Sequence, residues 1–357
     1  MNKLKKQLRK IKKLKEWLMI EIGILAVILI AAIAVCVDMG KLPDLPAPVQ
    51  VQAQQEQQPT EKTEPTESTV PESTAPQPST PTVIEPTWME LPEGRELTAQ
   101  KAFVYNNDEL IYNFIKGTPD EKIYPASITK LLTAYVALRF LIPDETIVVG
   151  DVIDKIAADS SRADLKKGDV LTVEQLIAAL LLPSGNDAAY ILAEAAGQEA
   201  EADDSLKGDA AISIFMREMN GQAKLFGMTN TNFTNPDGYH DDNHYTTMAD
   251  LVKLVQHVTE NEIIMKYAKT SEMKMTLGEN TLTWTNTNKL IDPASVYYCP
   301  YVTGLKTGQT EPAGCCLIST FQIDEVIWTV GVFGCPTRDS RFEDTLQLLN
   351  EVLFAKE

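Results

Sequence analysis

Histidine is scarce in this sequence, and its three copies give no sign of a metal centre. His240 and His244 enclose two aspartates, His257 lies farther along the chain, and no pair of ligands recurs at the spacing typical of zinc sites. We therefore expect no metal and no cofactor. The segment that carries His240 and His244 is expected to form the loop after Asn235–Gly238.

Positive charge is also scarce. The 357 residues contain 32 Lys and Arg against 50 Asp and Glu, which gives a net charge of −18. Residues 1–17 are the exception, because their eight Lys or Arg and one acid carry about +7 and leave −25 for the remainder. An acidic body has no electrostatic means of gathering phosphates, so we expect no nucleic-acid partner.

A long apolar run follows this basic head. Residues 18–37 are apolar except for Glu21, and twenty helical residues match a bilayer core of about 30 Å. We predict a single transmembrane anchor at residues 18–38, with residues 1–17 cytoplasmic because Lys and Arg are retained on that side. The alternative is a cleaved signal peptide with a small-x-small site at residues 32–34, although the head and the apolar run are long for one.

Proline dominates the next segment. Eleven of the twenty prolines lie between Lys41 and Pro92, mixed with Glu, Thr, Ser and Gln. Such a composition cannot bury enough apolar surface to offset the entropy of ordering. We predict a disordered linker at residues 39–96, which in extended polyproline geometry holds the following domain up to ~150 Å from the membrane.

Residues 97–357 show strand signals at both ends and helical signals between them. A hairpin is predicted at Ala102–Tyr105 and Leu110–Tyr112, and a second at Cys315–Phe321 and Val326–Phe333. The predicted helices span residues 127–141, 173–182, 187–196, 211–226, 247–259 and 341–354. This order favours one α+β domain whose antiparallel sheet is completed by the C-terminal strands.

The first of three short polar segments in apolar surroundings contains Ser127 and Lys130. Their spacing of three places both side chains on one face of a helix. A serine is a weak nucleophile without a base, and a lysine becomes a base only if burial or a second cation, such as Lys306, lowers its pKa. We predict that Ser127 is the nucleophile and Lys130 its base. Alone, the pair also fits a serine cap followed by an exposed lysine.

The second segment, Ser184-Gly185-Asn186, follows Pro183 at a break between two predicted helices. A side chain at such a break can project into a cleft while both helices bury their apolar faces. We expect Ser184 to relay a proton between Lys130 and the leaving amine, and Asn186 to bind a substrate amide or orient Lys130.

The third segment, Lys306-Thr307-Gly308, reads as a short strand beside the cleft. Lys306 and Thr307 are expected to bind a carboxylate, Gly308 to admit the substrate backbone, and an extended ligand to add as a further strand. The backbone N–H groups of Ser127 and Gln309 are the candidate oxyanion hole.

Together these segments resemble the serine-type D-alanyl-D-alanine carboxypeptidases, the low-molecular-mass penicillin-binding proteins of peptidase family S11, over residues 97–357. Further support comes from residues 125–130, 182–189, 233–238 and 304–310. The resemblance implies a β-lactamase-like transpeptidase fold with a helical subregion. It also implies an acyl-enzyme on Ser127, release of the terminal D-Ala from peptidoglycan stem peptides during cell-wall maturation, and inhibition by β-lactams. An arginine that opens the last helix is implied to hold the substrate carboxylate, and Arg341, or failing it Arg338, fits that place.

The sequence departs from the family at two places. Some members carry a second, all-β domain and a C-terminal amphipathic helix, whereas this chain continues for about fifty residues after Gly308. We expect neither feature here, with the anchor at the N-terminus and the domain outside the membrane. Gln309 stands where relatives have His or another residue, which a backbone role tolerates and a side-chain role does not.

Three other functions compete with the carboxypeptidase. A β-lactamase needs a carboxylate that activates the deacylating water, and no Glu-x-x-Leu-Asn segment lies between Ser184 and Lys306. A D,D-endopeptidase would use the same residues as the carboxypeptidase. A non-catalytic wall-binding or sensor module would not require the complete set of catalytic residues.

Four cysteines, Cys299, Cys315, Cys316 and Cys335, fall in the predicted domain. An oxidising exterior permits a disulfide among them, although buried free thiols are the favoured interpretation. Since successive residues of a strand point to opposite faces, at most one of Cys315 and Cys316 is expected to face the core.

Overall fold

The computed structural model describes residues 96–106, 111–323 and 325–354. The nine strands of this region are β1 Lys101–Asn106, β2 Ile111–Lys116, β3 Thr146–Val148, β4 Val170–Thr172, β5 Glu272–Leu277, β6 Asn280–Thr285, β7 Val302–Thr310, β8 Gly314–Ile323 and β9 Val326–Cys335. Five of them form one antiparallel sheet in the order β2-β1-β9-β8-β7. β1 pairs antiparallel with β9, so the prediction that the C-terminal strands complete the sheet is confirmed. β7 forms one edge.

Seven α-helices lie in the same part of the chain. They are α1 Lys130–Phe140, α2 Val173–Leu181, α3 Asn186–Glu201, α4 Asp209–Leu225, α5 Met248–Val258, α6 Glu262–Ala268 and α7 Ser340–Phe354. The predicted helix at residues 127–141 was wrong at its start, because a 3-10 turn at Ala126–Thr129 precedes α1. The sequence patterns predicted neither α6 nor the small hairpins β3–β4 and β5–β6.

The ends of the helices follow local chemistry. Thr172 caps α2, since its hydroxyl accepts the Gln175 N–H at 3.1 Å while the Gln175 side chain accepts the Thr172 N–H at 2.8 Å. Pro183 stands two residues after the end of α2, and the chain turns there before α3 begins at Asn186. The predicted helix break that carries Ser184 is therefore confirmed.

The sheet lies between two apolar layers. Phe103, Leu305 and Ile318 project into the larger core, which α1 to α6 complete. Val104 and Val332 project into a smaller core on the other face, which α7 covers. Alternation along each strand produces both cores at once, because successive side chains point to opposite faces.

The four cysteines follow the same alternation. Cys315 lies in the smaller core and Cys316 in the larger one, which confirms the prediction that they face opposite sides of the sheet. The expectation that at most one of them faces the core was wrong, because the sheet has an apolar core on each face. All four are buried free thiols. The disulfide that the sequence permits is absent from the described residues.

The predicted anchor at residues 18–38 and linker at residues 39–96 lie outside the described residues, apart from Glu96. Within the part of the chain that the structure describes, none of the helices combines the length and apolar character needed to span a bilayer.

Candidate active site

Ser127 and Lys130 meet at the junction of the Ala126–Thr129 turn and α1. Lys130 Nζ donates hydrogen bonds of 2.7 Å to Ser127 Oγ and of 2.7 Å to the main-chain oxygen of Asp237. The contact with Ser127 arises because residues i and i+3 of a 3-10 turn eclipse each other. Lys130 is fully buried whereas Ser127 is only partly buried. The pair thus has an interior amine and a hydroxyl within reach of solvent.

Burial changes the acid–base behaviour of both lysines. It lowers the pKa of Lys130 to about 8, against the opposing effect of the negative charges of Asp237 and Asp187. It also lowers the pKa of Lys306 well below the usual value, and the charges of Lys130 and Arg341 add to that effect. Lys306 was expected to lower the pKa of Lys130 as a second cation, but that shift comes from burial, and it is the charge of Lys130 that lowers the pKa of Lys306. A neutral Lys130 amine is therefore available closer to neutral pH than that of an ordinary lysine.

Ser184 stands at the turn between α2 and α3 with a φ of 63°, in the left-handed region that non-glycine residues seldom adopt. Ser161 stabilises this turn, because its hydroxyl donates to the Ser184 carbonyl at 2.7 Å and its carbonyl accepts the Asn186 N–H at 2.9 Å. Gly185 is crowded, since a Cβ there would lie 2.8 Å from the Ala179 carbonyl oxygen. Ser161 was not among the predicted site residues, because it belongs to none of the three motifs.

Asn186 is the first residue of α3, and its side-chain amide contacts Asp237. Nδ2 donates to Asp237 Oδ2 at 2.6 Å, and Oδ1 lies 3.3 Å from Ser161 Oγ. Asn186 and Asp237 are both at least nine-tenths buried. Burial raises the pKa of Asp237, against the positive charge of Lys130. Asp237 belongs to residues 233–238, which support the family resemblance, but its contact with Asn186 could not be predicted from the sequence.

Gly238 explains part of that stretch. Its φ is +81°, and a Cβ built there would lie 1.9 Å from the Ala126 carbonyl oxygen and 2.9 Å from Thr129 Oγ1. The turn that carries Ser127 therefore packs directly on the Gly238 backbone, in a space that only glycine leaves open.

Replacing Gly238 with alanine is expected to lower the free energy of unfolding by about 2–4 kcal/mol, because the Ala126–Thr129 turn must move. The matched control is Gly278→Ala. Gly278 also has a positive φ, +61°, but a Cβ there meets nothing within 4 Å. Chemical denaturation of both variants separates the packing clash from backbone strain. Equal losses would contradict the packing argument.

β7 carries the third predicted segment past the Ser127 turn. A Cβ on Gly308 would lie 2.8 Å from the Pro125 carbonyl oxygen and 3.2 Å from the Ser127 nitrogen. The close approach that Gly308 permits in this structure is therefore to the chain's own turn. This packing places Gly308, the residue before Gln309, against the Ser127 nitrogen. The arrangement is compatible with the predicted oxyanion hole.

Two side chains of β7, those of Lys306 and Thr307, are buried and hydrogen-bonded. Lys306 and Thr307 are buried, Lys306 Nζ donates to the Thr307 carbonyl at 3.2 Å, and the hydroxyls of Thr307 and Thr287 are 2.6 Å apart. Gln309 is exposed. The structure thus places a buried amine and a hydroxyl on the strand that borders Ser127.

Two arginines lie behind the end of β7. Arg341 is the second residue of α7, is buried, and donates from Nη1 to the Gly308 carbonyl at 3.5 Å. Its buried Nε has no hydrogen-bond partner among the described residues. Arg338 is exposed, and its Nε donates to Gln309 Oε1 at 2.8 Å. Both predicted arginines therefore reach the Gly308–Gln309 segment.

His244 has a structural environment. Its Nδ1 accepts the Thr234 N–H at 3.2 Å, so Nε2 carries the proton and donates to Thr129 Oγ1 at 2.8 Å. Burial lowers the pKa of His244 to about 4, so the ring is neutral at physiological pH. This histidine stabilises the Ala126–Thr129 turn through its hydrogen bond to the Thr129 hydroxyl.

The antiparallel sheet with helices on both faces is the fold of the penicillin-binding DD-peptidases. The buried Lys130, hydrogen-bonded to Ser127, lies beside the edge of that sheet. The crystal structure of the Streptomyces K15 DD-transpeptidase is similar with a TM-score of 0.64 at 27% identity, covering 72% of this chain and 97% of that one. Penicillin-binding protein D2 from Listeria monocytogenes, in a cefotaxime-bound form, is similar with a TM-score of 0.58 at 25% identity, covering 72% and 98%.

The sequence comparisons identify the family. The family model for D-alanyl-D-alanine carboxypeptidase, peptidase family S11, matches residues 92–337, and the chain belongs to this family. The carboxypeptidase DacF of Bacillus subtilis is 28% identical over 259 residues, which cover 71% of this chain and 61% of the relative. The D-alanyl-D-alanine carboxypeptidase of Streptomyces sp. K15 is 32% identical over 244 residues, covering 65% and 79%. The chain thus spans about three fifths of the length of DacF.

Proposed function

We propose that this protein is a serine-type D-alanyl-D-alanine carboxypeptidase that removes the terminal D-Ala from peptidoglycan stem pentapeptides in cell-wall maturation. The observation that carries the proposal is the 2.7 Å hydrogen bond between Lys130 Nζ and Ser127 Oγ, with Lys130 fully buried. Membership of the S11 family supports the choice of substrate. β-Lactams are the expected inhibitors, because they acylate the same serine.

In the first step, Ser127 Oγ attacks the carbonyl carbon of the penultimate D-Ala while Lys130 Nζ accepts the hydroxyl proton. The backbone N–H groups of Ser127 and Gln309 stabilise the resulting oxyanion. The packing of Gly308 against the Ser127 nitrogen supports this pairing of donors.

The C–N bond then breaks, and the proton on Lys130 passes to the leaving amine of the terminal D-Ala. Ser184 serves as the relay. Its buried hydroxyl makes no hydrogen bond to another described residue, which leaves it free to contact both groups. In the second half, water attacks the ester carbonyl carbon while Lys130 Nζ accepts a proton from it. The bond between that carbon and Ser127 Oγ then breaks, Lys130 returns the proton to Ser127 Oγ, and the shortened peptide leaves.

Recognition of the substrate carboxylate falls to Lys306, Thr307 and Arg341. The buried Arg341 Nε without a partner supports this assignment, since a carboxylate would supply the missing acceptor. Asn186 binds a backbone carbonyl of the peptide. Arg338 and Gln309 contact each other at the exposed end of the strand and border the position of the terminal residue.

Transfer to an amine is the second candidate reaction. The Streptomyces K15 structure is named a DD-transpeptidase, and transpeptidation differs from hydrolysis only in the acceptor that attacks the acyl-enzyme. Endopeptidase cleavage of cross-links would likewise use the same residues.

We also propose that residues 18–38 anchor the enzyme in the membrane and that residues 39–96 carry the catalytic domain on the extracytoplasmic side. The length of the apolar run and the charge of residues 1–17 support this topology. Release of the intact chain from isolated membranes by alkaline carbonate would contradict it.

The proposed reaction is tested with a synthetic pentapeptide that ends in D-Ala-D-Ala and a matched peptide that ends in D-Ala-L-Ala. We expect release of free D-Ala from the first peptide and no release of L-Ala from the second, together with a penicillin adduct on Ser127 in mass spectrometry. Transfer is measured by adding an amine acceptor that begins with glycine to the reaction with the first peptide and looking for the product in which the acyl group is joined to that amine. Absence of both D-Ala release and adduct would reject the function.

A further inference from the structure

One buried carboxylate at the site has no part in the steps above. Asp237 lies between the Ser127–Lys130 pair and Asn186, and each of its acceptors is used. Its main-chain oxygen accepts from Lys130 Nζ at 2.7 Å, its Oδ2 from Asn186 Nδ2 at 2.6 Å, and its Oδ1 from the Tyr239 N–H at 3.1 Å. It is 2% exposed.

The contact with Asn186 decides which way that amide points. A carboxylate only accepts hydrogen bonds, so the amide atom that faces Asp237 must be nitrogen. The amide oxygen then faces Ser161 at 3.3 Å. One of the two Nδ2 hydrogens is used by Asp237, and the second has no acceptor among the described residues. That second hydrogen can donate to a substrate carbonyl.

We propose that Asp237 is a positioning residue for the acylation step: its carboxylate orients the Asn186 amide toward the peptide, and its main-chain carbonyl directs Lys130 onto Ser127. The role is distinct from a contact with substrate, since Asp237 is sealed by the groups that it holds. It rests on the proposed function, because the reaction that it serves is the acylation of Ser127.

Asp237 also affects when Lys130 can act as a base. Four charged or titratable groups surround Lys130: Asp237, Asp187 on α3, Lys306 on β7 and His244 on the loop after Asp237. The two carboxylates raise the pKa of Lys130. Removing the charge of Asp237 should therefore lower that pKa, so the amine becomes neutral at a lower pH than in the wild type.

The test measures the rate of acylation by a labelled penicillin as a function of pH in Asp237→Ala, Asp237→Asn and the wild type. On the high-pH plateau, where Lys130 is neutral in all three, we expect Asp237→Ala to be slower by roughly 10- to 100-fold through loss of a charged hydrogen bond. Below the plateau the rate rises with pH, and this rising part of the profile is called the acid limb. In both variants we expect the acid limb to move to lower pH. Asp237→Asn keeps one acceptor and should lose less on the plateau.

The matched control is Asp344→Ala. Asp344 is equally buried and also accepts backbone N–H groups, those of Thr98 and Ala99, but it lies beside the smaller core. We expect it to lose stability with an unchanged acid limb. If Asp237→Ala does not fold, the limb of Asp237→Asn decides the question. A limb that stays at the wild-type pH in a folded Asp237 variant overturns the proposal.

A double-variant cycle tests whether Asp237 acts through Asn186. On the plateau, Asp237→Ala combined with Asn186→Ala should be about as slow as Asn186→Ala alone, because there is then no amide to orient. Multiplication of the two single effects would overturn the positioning role. Failure of the wild type to be acylated would reject the proposed function and this proposal together, whereas equal rates in wild type and variants reject only the role of Asp237.

Discussion

Replacement of Ser127 by alanine is expected to abolish covalent labelling by penicillin and to reduce D-Ala release by about 10⁴- to 10⁶-fold. Ser127 carries the hydroxyl that is hydrogen-bonded to the buried amine of Lys130, and no other hydroxyl in the described part of the chain takes that place. Since Ser127 is only partly buried, the variant should unfold at nearly the wild-type denaturant concentration. Intact-mass spectrometry after exposure to penicillin measures the adduct.

The control for this change is Ser205→Ala, which removes an exposed loop serine that contacts only Asp203. It should label and hydrolyse as the wild type does. An adduct on a residue other than Ser127, or unchanged labelling of Ser127→Ala, would show that the nucleophile has been assigned wrongly.

Replacement of Lys130 by methionine is expected to slow acylation by about 10²- to 10⁴-fold, the usual contribution of a general base. The pH profile provides the sharper criterion. Lys130 acts only when neutral, and its pKa is about 8. In the wild type the rate should therefore rise about tenfold per pH unit below that value and level off above it, whereas Lys130→Met should lack this limb.

Two further lysine variants complete the experiment. Lys224→Met removes an exposed lysine of α4 and should change neither the rate nor the profile. Lys306→Met should weaken binding of a peptide with a free terminal carboxylate while keeping the acid limb. If the limb persists in Lys130→Met, or disappears in Lys306→Met, then another group is the base.

The sequence predicted the contact between Ser127 and Lys130 better than the surroundings of the two residues. The spacing of Ser127 and Lys130 was enough to place their side chains together, because residues three apart meet in a 3-10 turn as well as in an α-helix. For this reason the wrong helix start at residue 127 did not affect the predicted contact. The alternation of β8 likewise placed Cys315 and Cys316 on opposite faces without knowledge of the partner strands.

The supporting residues could not be predicted in this way. Asp237 meets Lys130 across 107 positions of sequence, and Ser161 meets Ser184 across 23. No local periodicity encodes such contacts. The structural reason for Gly308 could not be predicted either. A glycine on a strand that borders the cleft suggests room for substrate, whereas the structure shows the Ser127 turn packed on it. The positive φ of Gly238 is the exception, because a glycine in a turn commonly indicates a left-handed backbone conformation.

The position of β7 at the edge of the sheet has a consequence for the behaviour of the protein in solution. An uncovered edge strand is a template on which a second chain can pair, and proteins usually protect such edges with charge, proline or a covering segment. Here the Ser127 turn lies against part of β7. The same packing that positions Ser127 therefore protects the edge, and a variant that loosens it, such as Gly238→Ala, should aggregate on mild heating before its sheet unfolds.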